Sequence, residues 1–382
     1  VLKPYTLWKY GIKIEKFKEQ GDRPYLVLYN HQTGFDQFFV GMAWNGPVYY
    51  LATEDIFSLG VLSSLLRWAV EPIPIRKQTK DIAAVKTCYK VAKEGGTIAI
   101  APEGNRTYSG KTEYISPAIA SMAKMINLPI ALFRIEGGYG VQPRWSDVTR
   151  KGKMRAYVSQ VIEPEAYKDL SNEELAKLIE EGLYVNEAVI DANFHSDKRA
   201  EFLERAIYVC PYCGLSEFES HGNEMECKKC KRKVTYRTDK TLKGIGYDHP
   251  FQFVNDWYEY QQDFVNGLDV TELTKEALYE ETVMLSEVIL YKKKEELRRK
   301  AKIRLYGDKI VIDEGTGEEL RFPFSEVSAV SVLGKNKANI YHNKRVYQIK
   351  GSEHFNSLKY VNIYYRYKNI SRGEADVKFL GL

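Results

Sequence analysis

Polar residues that could do acid–base chemistry follow two apolar runs of the chain. Asn30, His31 and Asp36 stand in "NHQTGFD", directly after "PYLVLY", and "PEGNRTYS" follows "GGTIAIA". If a helix begins near Thr33, the Asp36 carboxylate can reach the His31 imidazole, fix its tautomer and stabilise its protonated form. His31 could then accept a proton from a substrate hydroxyl. Because no serine or cysteine nucleophile is indicated beside it, activation of a substrate alcohol is the simplest chemistry.

Each motif alone also has a simpler interpretation. A histidine followed five residues later by an aspartate occurs in surface turns and helix starts, and "PEGNR" is a glycine-containing turn. In α/β sheets, however, ligands bind beyond the carboxyl ends of strands, so two polar motifs there can share one crevice. Arg106 offers a planar donor fork for phosphate, and Glu103 could orient a hydroxyl or hold that arginine. With Arg76 and Lys77 of "EPIPIRK", these residues indicate a transferase acting on a phosphorylated alcohol.

Short apolar runs alternate with helix-like segments from Tyr25 to Ile162, which predicts an α/β domain. Strands are predicted at "PYLVLY", "GPVYYLA", "GGTIAIA", "LPIALFRI" and "MRAYVSQVI". Helices are predicted at "DQFFVGMAW", "SLGVLSSLLRWAV", "DIAAVKTCYKVAKEG" and "SPAIASMAKMIN". Cys88 lies in the third of these helices and is expected to be a buried, inert thiol.

A further helix is predicted at "SNEELAKLIEEGL", because Ser171 and Glu174 have the spacing of a capping box. Polar helical sequence is expected to continue from it to about Arg205.

The remaining cysteines form a second chemical motif. Cys210, Cys213, Cys227 and Cys230 make two Cys-x2-Cys pairs separated by thirteen residues. Each pair spans one knuckle, and four thiolates complete a tetrahedral site, so the spacing predicts a zinc ribbon. With four protein ligands no coordination position is open, and the zinc is expected to be structural. The neighbouring "KKCKRKVTYR" is basic enough to leave nucleic acid binding as an alternative.

The C-terminal third is predicted to be rich in strands. An aromatic helix, "FQFVNDWYEYQQDFV", precedes the β-like runs "KIRLYGDKIVID", "LRFPF", "VSAVSVL", "ANIYHN" and "RVYQIKG", and "HFNSLKYVNIYYRYKN" closes the chain with helical spacing. This pattern predicts a pleckstrin-homology-like module. The glutamates within "YKKKEELRRKAKIR" favour a solvated helix, although such a segment could also bind anionic lipid. The predicted domains are residues 1–205, 206–237 and 238–382.

The composition limits the class of protein. A chain of 382 residues suggests two or three domains. Its 44% hydrophobic and 28% charged residues are typical of a folded soluble or peripheral protein, and the net charge of +5 neither requires nucleic acid nor excludes an anionic membrane. Four of the five cysteines fall in one segment, which favours a metal site in a reducing compartment. No run of about 20 apolar residues or signal peptide is present, and an anchor upstream of Val1 is left open.

The motifs resemble those of the glycerolipid acyltransferase family, especially the lysophosphatidic acid acyltransferases. Asn30, His31 and Asp36 match its Asn-His-x4-Asp motif, and "APEGNR" matches its Phe-Pro-Glu-Gly-Thr-Arg motif with Ala101 for Phe and Asn105 for Thr.

Two further blocks of the family are matched in order. "EDIFSLGVLSSLLRWAVEPIPIRK" resembles a helix and an Ile-Pro-Ile-Asp-Arg strand, with Arg76 at the aspartate position and Lys77 at the arginine position. "NLPIALFRI" resembles the block that contains Pro129. The resemblance extends from about Pro4 to Leu183.

The resemblance implies an acyltransferase domain with a mixed sheet flanked by helices. It also implies acyl transfer from acyl-CoA or an acyl carrier protein to the sn-2 hydroxyl of 1-acylglycerol 3-phosphate, producing phosphatidic acid. His31 would be the base and Asp36 its orienter. The substrate-binding residues would be Glu103 and Arg106, which hold the glycerol phosphate, Arg76 or Lys77, and the backbone amides near Gly104, which stabilise the thioester oxyanion.

The lipid substrates imply a membrane surface as partner and a peripheral or monotopic protein on the cytoplasmic face of the membrane. "FSLGVLSSLLRWAV" has the apolar cover of a helix lying in the interface, but it could equally pack on the sheet. Another lysophospholipid acceptor stays open, as does a non-catalytic zinc-ribbon protein that binds nucleic acid or a partner protein. An enzyme is favoured over the non-catalytic binding protein because all four residues of the acyltransferase motifs are present: His31, Asp36, Glu103 and Arg106.

Overall fold

The computed structural model describes residues 2–53, 72–75, 82–289 and 294–381. It consists of two compact units. Unit 1 comprises Val1–Arg144, Val148–Ser196 and Thr238–Lys240, and unit 2 comprises Trp145–Asp147, Asp197–Arg237 and Thr241–Leu382. The three domains inferred from the sequence divide the chain differently, and those boundaries stay a prediction.

Unit 1 is built on a seven-stranded sheet with the order β1-β7-β6-β2-β5-β3-β4. Its strands are β1 (Ile12–Ile14), β2 (Leu26–Tyr29), β3 (Val48–Thr53), β4 (Ile73–Ile75), β5 (Thr97–Ile100), β6 (Ile130–Glu136) and β7 (Met154–Ile162). Its described helices are α1 (Leu2–Tyr10), α2 (Asp36–Ala43), α3 (Ile82–Lys93), α4 (Ala118–Ile126), α5 (Gly138–Val141), α6 (Pro164–Tyr167) and α7 (Asn172–Leu183). Strand β2 is parallel to β5 and β6, whereas β7 is antiparallel to β6. The sheet is therefore mixed, as expected.

Helices cover both faces of this sheet, which explains why β2 is apolar throughout. Leu26 and Leu28 face one core cluster, together with Cys88 of α3. Val27 and Tyr29 face the opposite cluster, together with residues of α1 and α2. A strand that is buried on both faces has no polar alternation. The polar candidates Asn30, His31 and Asp36 therefore come after β2, where the chain leaves the two cores.

The strands predicted in unit 1 are confirmed, as is the helix that begins after Ser171. The Ser171 hydroxyl accepts from the Glu174 amide at 3.0 Å, and the Glu174 carboxylate accepts from the Ser171 amide at 2.7 Å. Cys88 is fully buried as expected, and burial raises the pKa of its thiol to about 12.

The helical continuation to Arg205 was wrong. After α7 the chain forms turns and isolated bridges up to the short 3-10 turn Leu203–Arg205. The Asn186 side chain accepts from the Ala188 amide at 3.1 Å, and the His195 and Lys151 backbones pair with each other. Local side-chain bonds and distant backbone partners thus replace the helical hydrogen bonds.

The first part of unit 2 is a set of short antiparallel strands that carries the cysteines. Strands β8 (Val209–Cys210) and β9 (Gly214–Leu215) form one pair. Strands β10 (Phe218–His221), β11 (Glu224–Cys227), β12 (Lys233–Tyr236) and β13 (Leu242–Gly244) form a four-stranded sheet in sequence order. The chain then continues into α8 (Val254–Asn266). This arrangement agrees with the predicted ribbon.

The rest of unit 2 is a nearly closed antiparallel sheet followed by a helix, as expected for the pleckstrin-homology-like module. Its strands are β14 (Tyr279–Glu287), β15 (Glu295–Leu305), β16 (Lys309–Ile312), β17 (Leu320–Pro323), β18 (Val327–Leu333), β19 (Lys337–His342) and β20 (Arg345–Lys350), and the helix is α9 (Leu358–Ser371). The strand order is β17-β16-β15-β14-β20-β19-β18. Among the described helices of the whole chain, none has the length and apolar character needed to cross a membrane.

The solvated helix expected within "YKKKEELRRKAKIR" was wrong, because its described part from residue 295 onward is strand β15. This strand pairs with β14 on one side and with β16 on the other. Ala301, Ile303 and Leu305 are buried, whereas Lys300 and Lys302, which alternate with the first two of them, are exposed. This period of two is that of a half-buried strand, and the many charges of the segment obscured it.

Candidate active site and metal site

Asn30 fixes the point at which the chain leaves β2. Its buried side-chain amide donates to the Ile135 carbonyl oxygen at 2.8 Å and accepts from the Ile135 amide at 2.7 Å. These bonds to the neighbouring strand β6 satisfy two backbone groups that the end of β2 would otherwise leave without partners. His31 therefore begins its loop from a rigid base.

Asp36 is the first residue of α2, and its fully buried carboxylate collects hydrogen-bond donors from the loop before it. It accepts from the backbone amides of Gln32 at 2.7 Å and of Thr33 at 2.9 Å, and from the Thr33 hydroxyl at 2.6 Å. Its Oδ2 also lies 2.8 Å from Nδ1 of His31. Since an ionised carboxylate only accepts, Nδ1 carries the proton and Nε2 has a free lone pair.

The His31 side chain is 23% exposed, so a substrate can reach it. Burial lowers the pKa of His31 below its usual value, and the positive charges of Arg106 and Arg144 act in the same direction. The hydrogen bond and the negative charge of Asp36 oppose this shift. The net effect keeps the imidazole neutral at pH 7, which is the form a general base requires.

Glu103 connects the two strand-end motifs. Its Oε1 accepts from the His31 amide and its Oε2 from the Glu113 amide, each at 2.7 Å. In addition, the Thr107 amide donates to the His31 carbonyl oxygen at 3.2 Å. Burial raises the pKa of Glu103 well above its usual value, although these two amide bonds lower it. Both carboxylate oxygens thus hold backbone groups of unit 1, and Glu103 braces the loop that carries His31.

Gly104 forms the tight part of the second motif. Its φ of +66° lies in the left-handed region, where glycine is unstrained. Its amide donates to the Ala101 carbonyl oxygen at 3.0 Å and closes a turn. Because that donor is used, the expected oxyanion role near Gly104 stays a prediction for the amides around it.

Arg106 is partly buried at the end of this turn. Its guanidinium makes no hydrogen bond or ion pair with any residue that the structure describes. Burial lowers the pKa of Arg106 to about 10, and the charge of Arg144 contributes in the same direction. The guanidinium remains protonated at pH 7, so a positive charge stands near His31 without a bonded carboxylate.

Two residues near this site were missed by the sequence reasoning. Arg144 is 3% exposed, and its Nη1 donates to the Arg106 carbonyl oxygen at 2.8 Å. Tyr10 of α1 is also buried, with its ring 5.3 Å from the Phe35 ring. No motif or periodicity marks either residue, because both reach the site through long-range packing.

Arg76, Lys77 and the predicted helix at 57–70 lie outside the described residues. The expected contact of Arg76 or Lys77 with phosphate therefore stays a prediction, as does the interfacial placement of that helix.

The four cysteines of unit 2 come together as the spacing predicts. Their Sγ atoms all lie within 4.8 Å of one another. The Sγ atoms of Cys210 and Cys230 are 3.7 Å apart, and those of Cys213 and Cys227 are 3.6 Å apart. Tetrahedral coordination with metal–sulfur bonds of about 2.3 Å places sulfurs about 3.8 Å apart. The cluster therefore fits a metal ion bound by four thiolates.

Comparisons with known proteins relate unit 1 to one family. Residues 12–135 match the model of the acyltransferase family. A 1-acyl-sn-glycerol-3-phosphate acyltransferase of Bacillus subtilis is 22% identical over 173 residues, which cover 44% of this chain and 83% of that protein. A chloroplastic enzyme of Arabidopsis thaliana with the same description is 19% identical over 178 residues, covering 46% of this chain and 50% of that one.

A crystal structure of the 1-acyl-sn-glycerophosphate acyltransferase from Thermotoga maritima is also similar. It shows 21% identity and a TM-score of 0.41, and the match covers 48% of this chain and 73% of that one. The family match and the two sequence relatives confirm the resemblance inferred from the motifs.

Proposed function

From the acyltransferase domain at residues 12–135, we propose that this protein transfers an acyl group from a thioester to the sn-2 hydroxyl of 1-acylglycerol 3-phosphate, producing phosphatidic acid. The observation that carries the proposal is a neutral, accessible His31 close to an arginine that binds no carboxylate. His31 deprotonates the hydroxyl of the acceptor, and the arginine binds its phosphate. The relatives from Bacillus subtilis and Arabidopsis thaliana are described as acting on this type of acceptor.

In the proposed reaction, Nε2 of His31 accepts the proton of the acceptor hydroxyl while the oxygen attacks the thioester carbonyl carbon. Asp36 accepts from Nδ1 and stabilises the imidazolium that forms. The C–S bond then breaks, and the leaving thiolate takes the proton from Nε2. The products are an ester and a free thiol, which is that of coenzyme A or of an acyl carrier protein.

Glu103 contributes through the loop it holds. It places the His31 backbone, and the turn at Gly104 presents Arg106 beside it. Preorganised side chains of this kind lower the barrier because they need no rearrangement during the reaction.

For the cysteine cluster we propose a single structural zinc ion bound by Cys210, Cys213, Cys227 and Cys230. The sulfur–sulfur distances suit zinc. Four protein ligands leave no position for a substrate, so the ion stabilises the fold of unit 2 and takes no part in the chemistry.

The rival function, nucleic acid binding by the ribbon, has weaker support. Lys231 and Lys233 lie 3.3 Å from the Glu226 carboxylate, and Lys228 lies 3.9 Å from the Glu217 carboxylate. These acidic neighbours offset the basic run that suggested a phosphate backbone as ligand.

The acceptor and the product are bilayer lipids, so we propose that the protein works at the cytoplasmic surface of a membrane. Helix α1 of unit 1 supports contact with a membrane surface, because Trp8 is 81% exposed and Tyr5 is 45% exposed, and both stand in a segment that contains Lys3 and Lys9. Exposed aromatic rings next to lysines suit the interface of an anionic bilayer. We expect the protein to float with vesicles containing phosphatidic acid and Trp8→Ala to float less. Equal flotation of both would contradict this role of α1.

The proposed reaction is tested by supplying acyl-CoA with 1-acylglycerol 3-phosphate in vesicles and measuring free thiol and product mass. We expect phosphatidic acid, and a kcat/KM at least about 10-fold above that for 1-acylglycerophosphocholine or monoacylglycerol. Monoacylglycerol lacks the phosphate altogether, and 1-acylglycerophosphocholine offers only a singly charged diester beside a choline cation. Repeating the assay with an acylated acyl carrier protein in place of acyl-CoA decides which thioester is the donor. Absence of thiol release with every acceptor, together with nucleic acid binding at physiological salt, would favour the rival.

A further inference from the structure

Arg144 lies beside the proposed phosphate site but belongs to no motif. We propose that Arg144 is a positioning residue that holds Arg106 and adds a second positive charge, so that the site selects a phosphate monoester over lipids without that charge. This inference rests on the proposed function and names what determines the acceptor specificity of the same site.

The contacts of Arg144 point toward the backbone of Arg106. The single hydrogen bond of its guanidinium within the described residues runs from Nη1 to the Arg106 carbonyl oxygen, at 2.8 Å. The guanidinium carbon lies 4.4 Å from the centre of the Tyr108 ring. Its Nε is buried and has no hydrogen-bond partner in the described part of the chain. Arg144 is thus fixed against the Arg106 turn and keeps an unused donor.

Nearby carboxylates act on the two arginines only through space: the charge of Asp36 raises the pKa of Arg106, and the charge of Arg144 lowers the pKa of Glu113. Asp36 accepts from His31 and from the loop before α2, and Glu103 holds two backbone amides. Glu113 accepts from the Thr107 hydroxyl at 3.1 Å and the Tyr108 amide at 3.2 Å. Neither arginine forms an ion pair within the described residues. Two buried or partly buried cations without a bonded anion are costly, and a phosphate dianion supplies the matching charge.

The same two cations act on the base. Several groups surround His31 in unit 1: Asp36 of α2, Tyr29 of β2, Glu103 and Arg106 of the second motif, and Arg144. Tyr10 of α1 interacts with Asp36 and Arg106 rather than with His31 itself. Arg106 and Arg144 both lower the pKa of His31. A dianion bound at these arginines offsets that effect and raises the pKa of His31 in the complex. Acceptor binding therefore strengthens the base that deprotonates the acceptor hydroxyl.

The experiment compares Arg144→Gln and Arg144→Lys with the wild type. Arg150→Gln is the matched control, because Arg150 is 1% exposed and donates to the Gly140 carbonyl oxygen at 3.2 Å, away from the turn that carries Arg106. For Arg144→Gln we expect KM for 1-acylglycerol 3-phosphate and Ki for inorganic phosphate to rise about 10-fold or more. The loss with monoacylglycerol should be at least several-fold smaller than the loss with 1-acylglycerol 3-phosphate, and Arg144→Lys should recover part of the latter.

The pH dependence gives a second, independent measurement. In the wild type the acid limb of kcat should lie at higher pH than that of kcat/KM, because kcat reports the complex and kcat/KM the free enzyme. In Arg144→Gln the acid limb of kcat/KM should move to higher pH, since a cation that lowered the pKa of His31 is gone. A purely structural arginine would produce neither shift.

Unchanged KM, Ki and pH limbs in Arg144→Gln would overturn the inference. Equal losses with both acceptors, shared by Arg150→Gln, would also overturn it by showing a loss of fold alone. If the wild type transfers to no acceptor, the proposed function fails, and titration with inorganic phosphate followed by ³¹P NMR still decides the inference. Equal phosphate affinity of wild type and Arg144→Gln would then reject it.

Discussion

Replacement of His31 by alanine is expected to lower the rate of thiol release with 1-acylglycerol 3-phosphate by about 10²- to 10⁴-fold, the usual contribution of a general base. The physical reason is that Nε2 of His31 accepts the proton of the substrate hydroxyl. Asp36 keeps Nε2 unprotonated because it holds the ring proton on Nδ1. The measurement is steady-state thiol release at saturating acyl-CoA, with the product lipid confirmed by mass spectrometry.

The fold should tolerate this change. The His31 side chain is 23% exposed, and Asp36 keeps its donors from Gln32 and Thr33 in the variant. His221→Ala is a suitable control, because the His221 side chain is 73% exposed and the residue belongs to unit 2. We expect wild-type melting temperatures for both variants and wild-type turnover only for His221→Ala. Turnover of His31→Ala near that of the wild type would refute His31 as the base.

Removal of the metal is expected to unfold the ribbon of unit 2. Structural zinc sites release about 10 to 16 kcal/mol of apparent binding free energy that is also folding free energy. Strands β8 to β13 are short, and Cys210 and Cys227 are buried among them. Without the ion, four thiols that converge within 4.8 Å lose the interaction that holds them together. A strong chelator or Cys227→Ser should therefore remove hydrogen-exchange protection from these strands.

Titration of the thiols during metal removal distinguishes the four ribbon cysteines from Cys88. The four ribbon thiols should become reactive as zinc is released, at one equivalent of metal per chain. Cys88 should stay unreactive, because it is fully buried and its thiol pKa is raised to about 12. Cys88→Ala is the control and should keep full zinc content. Less than half an equivalent of zinc in a folded wild-type sample would contradict the structural zinc site.

The outcomes for individual elements show which sequence signals are reliable. The runs that became β2 and β5 were recognisable because burial on both faces demands continuous apolar sequence. The helix after Ser171 was recognisable from its capping box, whose two bonds join residues three positions apart. The first part of strand β15 was misassigned as a helix because it is rich in charges and Ala301 is its one buried residue, whereas its end at Ile303 and Leu305 falls in a run that was predicted as β-like. The segment before Arg205 was misassigned because its backbone partners are distant in the chain.

The same distinction applies to the two sites. His31 and Asp36 are five residues apart, and each cysteine pair spans a single knuckle, so backbone geometry within one turn already brings their side chains together. Glu103 instead contacts the His31 amide across 72 positions, and Arg144 contacts Arg106 across 38. Such contacts depend on the order of strands in the sheet and on long-range packing, which no local spacing encodes. The base, its orienting carboxylate and the thiol ligands were therefore evident in the sequence, whereas the brace on the base and the second cation appeared only in the folded unit.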